Sequence, residues 1–154
     1  MPGDKFYSRI SHSLGATGLR WTGKLNVPLY RLSGGRLGGK VGRAPVLLLT
    51  TTGRKSGLQR TAPVVYLADG DRWAIINTNA GNRRIPAWSF NLRADPEAEV
   101  EVGRERHQVR ARIAEGEERA DLWRKHNVQY SGFDDYAAVL DRDIAVFVLE
   151  PITS

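Results

Sequence analysis

Pro45-Val46-Leu47-Leu48-Leu49-Thr50-Thr51-Thr52 is an unbroken apolar and β-branched run, the pattern of a strand buried on both faces. Across a polar loop a second such run extends from Thr61 to Leu67, and Asp69-Gly70 then joins it to Arg72-Trp73-Ala74-Ile75-Ile76-Asn77-Thr78. Asp-Gly between two β-rich runs is a strong hairpin signal, because tight hairpin turns need residues that tolerate positive φ. Pro86 opens a short helix carrying Trp88, Phe90 and Leu92, its missing N–H costing nothing in a first turn. Alternation returns over Glu97–Val102, turns near Gly103 and resumes with Val109, Ala111 and Ile113 on one face. The pattern then predicts a helix from about Glu117 to His126, a shorter one at Asp134–Leu140 and a last strand over Ile144–Leu149. About six strands joined by short turns, with helices too few and too late for βαβ alternation, predict an α+β fold. Its antiparallel sheet is expected to curl into a small barrel and so remove its edges.

The length of 154 residues is that of one domain, since single cores run to about 100–200 residues. With 41% hydrophobic and 26% charged residues the chain is too apolar for disorder and too polar for a membrane bundle. It has no cysteine, which excludes disulfides, thiolate metal sites and cysteine nucleophiles. His12, His107 and His126 share no ligand spacing, and no metal site is expected. His107 reads as a surface residue among arginines, and Glu97, Glu99 and Glu101 as a solvated sheet face. Neither Gly-x-Ser-x-Gly nor His-Glu-x-x-His occurs. The expected location is cytoplasmic, since no apolar h-region follows the first basic residues.

The net charge of +6 is unevenly placed. Eight basic residues and one acid precede Ala44, a net +7, whereas the rest of the chain sums to −1. A uniformly basic nucleic-acid binder is thereby excluded, and no nucleic-acid partner is expected. Residues 1–32 form a basic amphipathic segment, with Phe6, Ile10 and Leu14 at helical spacing and Trp21, Leu25, Leu29 and Leu32 repeating the rhythm. Such a helix either lies on anionic lipid at the inner face of the membrane or packs its apolar side on its own domain. Residues 33–43 are a Gly-rich joint, and residues 44–154 the barrel domain. The joint imitates a P-loop at Gly34 to Lys40, but Val41 stands where a magnesium-binding hydroxyl belongs and a strand follows instead of a helix.

The densest chemistry lies in Thr50-Thr51-Thr52-Gly53-Arg54-Lys55-Ser56-Gly57-Leu58-Gln59-Arg60. Four hydroxyls, three cations and two glycines suit an anion receptor in which backbone N–H groups converge while Arg54, Lys55 and Arg60 supply charge. A solvated basic hairpin has the same composition. A second polar loop, Asn77 to Arg84, leads directly into Pro86-Ala87-Trp88.

These stretches, with Pro63, the Asp69-Gly70 turn and Pro86-Ala87-Trp88-Ser89-Phe90-Asn91-Leu92-Arg93-Ala94-Asp95-Pro96, closely resemble the deazaflavin-dependent nitroreductase family from about Trp21 to Pro151. Its members are F420H2-dependent reductases with a split β-barrel, also described as F420-dependent quinone reductases. The resemblance implies that Arg54, Lys55, Ser56, Gly57 and Arg60 hold the F420 phosphate. It implies equally that Thr50, Pro63, Thr78, Trp88 and Asn91 line the deazaflavin and its side chain. The position of a tail-binding lysine is taken by Asn79, which leaves Arg83, Arg84 or the basic N-terminal segment to meet the glutamate tail. Tyr130 and Tyr136 match two tyrosines placed over the ring in members that reduce nitroimidazoles, while Phe133 replaces a third and lacks its hydroxyl.

The activity so implied is hydride transfer from reduced F420 to a quinone, nitroaromatic or activated enone. Tyr130 is then the candidate to stabilise or protonate the developing oxyanion, with Tyr136 shaping the pocket. Two alternatives stay open: an FMN-binding split-barrel reductase, since FMN also presents a phosphate, and a non-catalytic F420 carrier.

Overall fold

The structure, a computed structural model, describes residues 27–36, 39–41, 44–78, 84–129 and 143–152. Residues 27–33 are helical and form α1. They are followed by β1 (Lys40–Val41), β2 (Ala44–Thr52), β3 (Gln59–Val65), β4 (Leu67–Asp69) and β5 (Arg72–Ile76). Next come α2 (Ala87–Ala94), β6 (Glu97–Val102), β7 (Glu105–Ile113), α3 (Gly116–Gln129) and β8 (Val146–Pro151). All pairings are antiparallel, in the order β1-β2-β6-β7-β8-β5-β4, with β3 on the other edge of β2. The six expected strands are β2, β3, β5, β6, β7 and β8, and β1 and β4 are short additions. Among the described residues no ladder joins β3 to β4 or β5, so the curled sheet is a barrel left open along one seam.

Curling brings Leu47 and Leu49 of β2 together with Val64, Ile75, Val100, Val109, Phe147 and Leu149, capped by Trp88 and Leu92 of α2. A second cluster on the outer face joins Ala74, Ile76, Val146 and Val148 to Leu122 of α3. β5 and β8 are therefore buried on both sides, which is why they read as continuous apolar runs without alternation. The run from Thr61 to Leu67 is broken at Tyr66, whose N–H donates to the Pro45 carbonyl (3.0 Å) and turns the chain from β3 into β4. Pro63 sits opposite Leu48 in a strand with one free edge, where its missing donor costs no ladder bond.

Val109, Ala111 and Ile113 share one face of β7, with Ile113 37% exposed at the strand's end. Two expectations are corrected. The last strand begins at Val146, two residues later than its apolar run. Glu101 is not on a solvated face: it is 5% exposed and receives Arg31 Nε at 3.1 Å and Nη2 at 2.9 Å. The cause is α1, which lies over that end of the sheet. The Tyr30 hydroxyl donates to the Glu101 carbonyl (3.2 Å) and accepts the Gly103 N–H (2.8 Å). Glu97 and Glu99 do face outward, paired with Arg110 and Arg106. The Gly-rich stretch ends α1 with Gly34 and Gly35 at positive φ and Gly35 N–H bonded to the Tyr30 carbonyl at 2.9 Å. Residues 40 and 41, also within that stretch, pair with β2. Residues 1–26 and the helix expected at 134–140 lie outside the described residues.

Helix α3 buries His126 along with Leu122, and burial pushes the imidazole down from 6.5 to about 4. The unfolded chain takes up a proton in that interval that the folded one refuses. The stabilisation is thus complete above about pH 6.5 and lost as pH falls toward 4, by up to about 3 kcal/mol. Chemical denaturation across this window is expected to show a stability slope that His126→Leu reduces. An identical slope in both proteins would remove His126 as its source.

Candidate functional site

The β2–β3 hairpin loop is held by its own backbone. Gly53 N–H donates to the Leu58 carbonyl (2.7 Å) and Gly57 N–H to the Gly53 carbonyl (2.8 Å), while Leu58 N–H donates to Ser56 Oγ (3.1 Å). Gly57 adopts φ +72°, open to a residue without Cβ at least cost, and a Cβ at Gly53 would meet Ser56 Oγ at 2.6 Å. Arg54 N–H is taken by Asn91 Oδ1 at 3.1 Å. Four of the six N–H groups from Gly53 to Leu58 are thereby committed within the protein. These bonds leave the adjacent Lys55 and Ser56 N–H groups, so the backbone part of the expected cradle narrows to those two. Around them the side chains of Arg54, Lys55 and Arg60 are exposed, and the Ser56 hydroxyl accepts from Leu58 and keeps its own proton to donate. Residues 50–60 contain three cations, several hydroxyls and no carboxylate, a donor set that fits a phosphate.

Helix α2 is fastened to this loop by amides. Asn91 Nδ2 donates to Thr51 Oγ1 (3.0 Å), so one carboxamide joins α2, the end of β2 and the second loop residue, Arg54. Asn77 does the same at the other end: Nδ2 donates to Ser89 Oγ (2.9 Å) and Oδ1 accepts Ala145 N–H (2.8 Å). Thr78, buried, follows directly. The Arg54 guanidinium lies over the Phe90 ring, 4.1 Å from its centre.

The candidate residues divide between the two faces of β2. Thr51 continues the core face of Leu47 and Leu49 and stands opposite Arg60, whereas Thr50 and Pro63 lie on the opposite face. Thr50 and Thr61 hydroxyls are 2.8 Å apart there. Thr50 and Thr52 also edge a shallow polar cleft of about 220 Å³ whose far wall is Asp95, Glu97 and Glu99, an arrangement that repels anions. Trp88 is only 8% exposed and meets Phe147 edge-on at 5.6 Å, so its indole belongs to the core and is not brought to the face of Thr50. Asn79, Arg83, Tyr130, Phe133 and Tyr136 lie outside the described residues.

Sequence reasoning missed three residues. Phe90 was legible only as a helix aromatic, since its stacking on Arg54 is 36 positions away in the chain. Tyr30 is buried and Tyr66 half-buried close to it, desolvation raising both hydroxyl pKa values, and Gln129 at the end of α3 donates to the Tyr66 carbonyl at 2.7 Å. No local periodicity announces these long-range contacts.

The profile of a family described as F420H(2)-dependent quinone reductase matches residues 21–151. The chain belongs to that family. Membership makes it an oxidoreductase with reduced F420 as its cofactor. Among similar proteins, the F420H(2)-dependent quinone reductase Rv1261c of Mycobacterium tuberculosis (strain ATCC 25618 / H37Rv) is 35% identical over 130 residues, covering 82% of this chain and 87% of that protein. The solved structure of the F420-H2 dependent reductase FDR-A superposes with a TM-score of 0.64 at 34% identity, over 69% of this chain and 94% of that one. HutZ, the heme storage protein of Vibrio cholerae, shares the fold alone, with a TM-score of 0.57 at 15% identity over 83% of this chain and 89% of that one.

Asn91→Ala is expected to destabilise the fold by about 1–3 kcal/mol, because it strips partners from Thr51 and from the Arg54 N–H. A denaturation midpoint equal to that of the native protein would show that water replaces both bonds.

Proposed function

We propose that this chain uses reduced F420 to reduce a quinone, nitroaromatic or activated enone, with the cofactor phosphate at the β2–β3 loop. The observation that carries the reading is a rigid, acid-free loop bearing Arg54, Lys55, Ser56 and Arg60 and locked to α2 through Asn91. When bound, F420 supplies the hydride. Arg54, Lys55 and Arg60 neutralise the phosphodiester, Ser56 donates to it, and Gly57 permits the turn that brings them together. Thr50, Pro63 and Thr78 are proposed to border the deazaflavin and its side chain, while Trp88 and Asn91, buried behind β2, are proposed to act indirectly by fixing α2 against the loop.

Tyr130 is proposed to donate a hydrogen bond to the acceptor oxygen as it gains negative charge, and Tyr136 to shape the acceptor pocket. Supporting this, α3 carries the chain to Gln129, which is bonded beside Tyr66 at the end of β3, the strand that holds Pro63. The protein's remaining task is to hold the acceptor and exclude water.

Fluorescence titration with F420, run beside FMN, tests the assignment. Lys55→Ala is expected to weaken F420 binding roughly 10- to 150-fold, the loss of a charge-assisted contact of about 1.5–3 kcal/mol. Unchanged affinity would sink the loop as the phosphate site, and FMN binding in preference to F420 would move the protein to a flavin. Tight F420 binding without oxidation of F420H2 by menadione would make it a carrier.

A second reading concerns residues 1–32. Leu29 and Leu32, one helical step apart on α1, are 46% and 81% exposed, which supports contact of this basic segment with an anionic membrane surface. Among the described residues no helix is long and apolar enough to cross a membrane. Joint Leu29→Glu and Leu32→Glu substitution is expected to lower sedimentation with phosphatidylglycerol vesicles. Undiminished sedimentation would overturn the reading.

A further inference from the structure

We infer that Phe90 is a positioning residue for the phosphate site, holding the Arg54 guanidinium in the orientation that receives the anion. The inference rests on the assignment of the β2–β3 loop to the F420 phosphate. Of the cationic side chains there, Arg54 is the one fixed at both ends: its N–H is held by Asn91 Oδ1 at 3.1 Å, and its guanidinium lies 4.1 Å from the centre of the Phe90 ring. Both restraints come from adjacent residues of one helix turn. Phe90 and Asn91 point differently because consecutive helical residues are about 100° apart: Asn91 is buried toward Thr51, while Phe90 is half-buried against the loop.

Stacking on a ring uses the flat faces of a guanidinium and leaves its N–H donors, which lie in the plane, free to meet phosphate oxygens. A lysine ammonium has no such plane. The ring also restricts a long side chain before any ligand arrives, so less rotamer entropy is lost on binding. This matters in a loop where four of six backbone donors are already spent, so that side chains carry a larger share of the contacts to the anion. Phe90 touches neither the anion nor the reacting atoms in this scheme and acts through Arg54.

The test is a double-mutant cycle read by F420 fluorescence titration, with inorganic phosphate as competitor and the unfolding midpoint recorded for every variant. Phe90→Leu is expected to weaken F420 about two- to fivefold, the worth of an exposed cation–π contact. Phe90→Tyr, which keeps the ring, is expected to retain native affinity. In the Arg54→Ala background Phe90→Leu is expected to have no further effect. An equal penalty in both backgrounds would overturn the inference, because the ring would then be acting elsewhere. Native affinity in Phe90→Leu, with Arg54→Ala weakened, overturns it while leaving the phosphate assignment standing. If Arg54→Ala itself binds F420 as tightly as the native protein, the assignment fails and the inference with it. A route that leaves Phe90 in place is Arg54→Lys, expected to fall between native and Arg54→Ala. Native affinity there would show that charge suffices and no planar stack is needed.

Discussion

Strand β2 is hydrogen-bonded along both edges, to β3 over residues 46–52 and to β6 over residues 48–50, and everything else is arranged around that constraint. Paired on two sides, it cannot rotate, and its side chains are assigned to faces by parity alone. Odd positions Leu47, Leu49 and Thr51 face the barrel core, and even positions Val46, Leu48 and Thr50 face the side that α1 partly covers. Where the run changes from leucine to threonine, the same pleat that built the core delivers one hydroxyl to each face. Thr51 meets Asn91 and Thr50 meets Thr61. A slip of one residue would exchange core and site together, so the register that stabilises the fold is also the register that builds the loop.

Helix α2 has little stability of its own. Eight residues are too few to sustain an isolated helix, Pro86 provides no side-chain cap, and the first turn carries no acid to meet the dipole. What holds it is the core packing of Trp88 and Leu92 and two buried carboxamides, each satisfied by partners from different elements. Buried amides are costly unless both ends are bonded, and here both are, which makes Asn77 and Asn91 determinants of where the helix sits. The loop inherits that placement through the Arg54 N–H.

Much of this was legible in the chain. β2, β6, the Asp69-Gly70 hairpin and the helix start at Pro86 follow from composition and period, because each is decided by residues within a few positions. The break at Tyr66, the burial of Glu101 and the stacking of Phe90 are not local. Glu101 alternates with Glu97 and Glu99 in a pattern that suits a solvated face, and only a helix 70 residues earlier in the chain supplies the arginine that buries it. The site divides the same way. The cations, hydroxyls and glycines of the loop suit an anion, but the sequence does not reveal that four of its six N–H groups are used internally, since a cradle and a closed hairpin demand the same glycines.

Those internal bonds decide what kind of anion receptor the proposed site would be. A nest of backbone donors is rigid and recognises an anion by shape, whereas long cationic side chains bring charge at an entropic cost for each one ordered. The structure reconciles the two by making the backbone stiff through its internal bonds and then fixing a single side chain, Arg54, from the neighbouring helix. Lys55 and Arg60 are exposed, and toward a bound anion they would supply field more than geometry. In the proposed phosphate site, orientation would then be set by the one planar group that α2 holds, and α2 is itself placed by the core. Barrel packing thus reaches, through Asn91 and Phe90, a loop that is otherwise at the surface, and any geometric precision of the proposed anion site would derive from it.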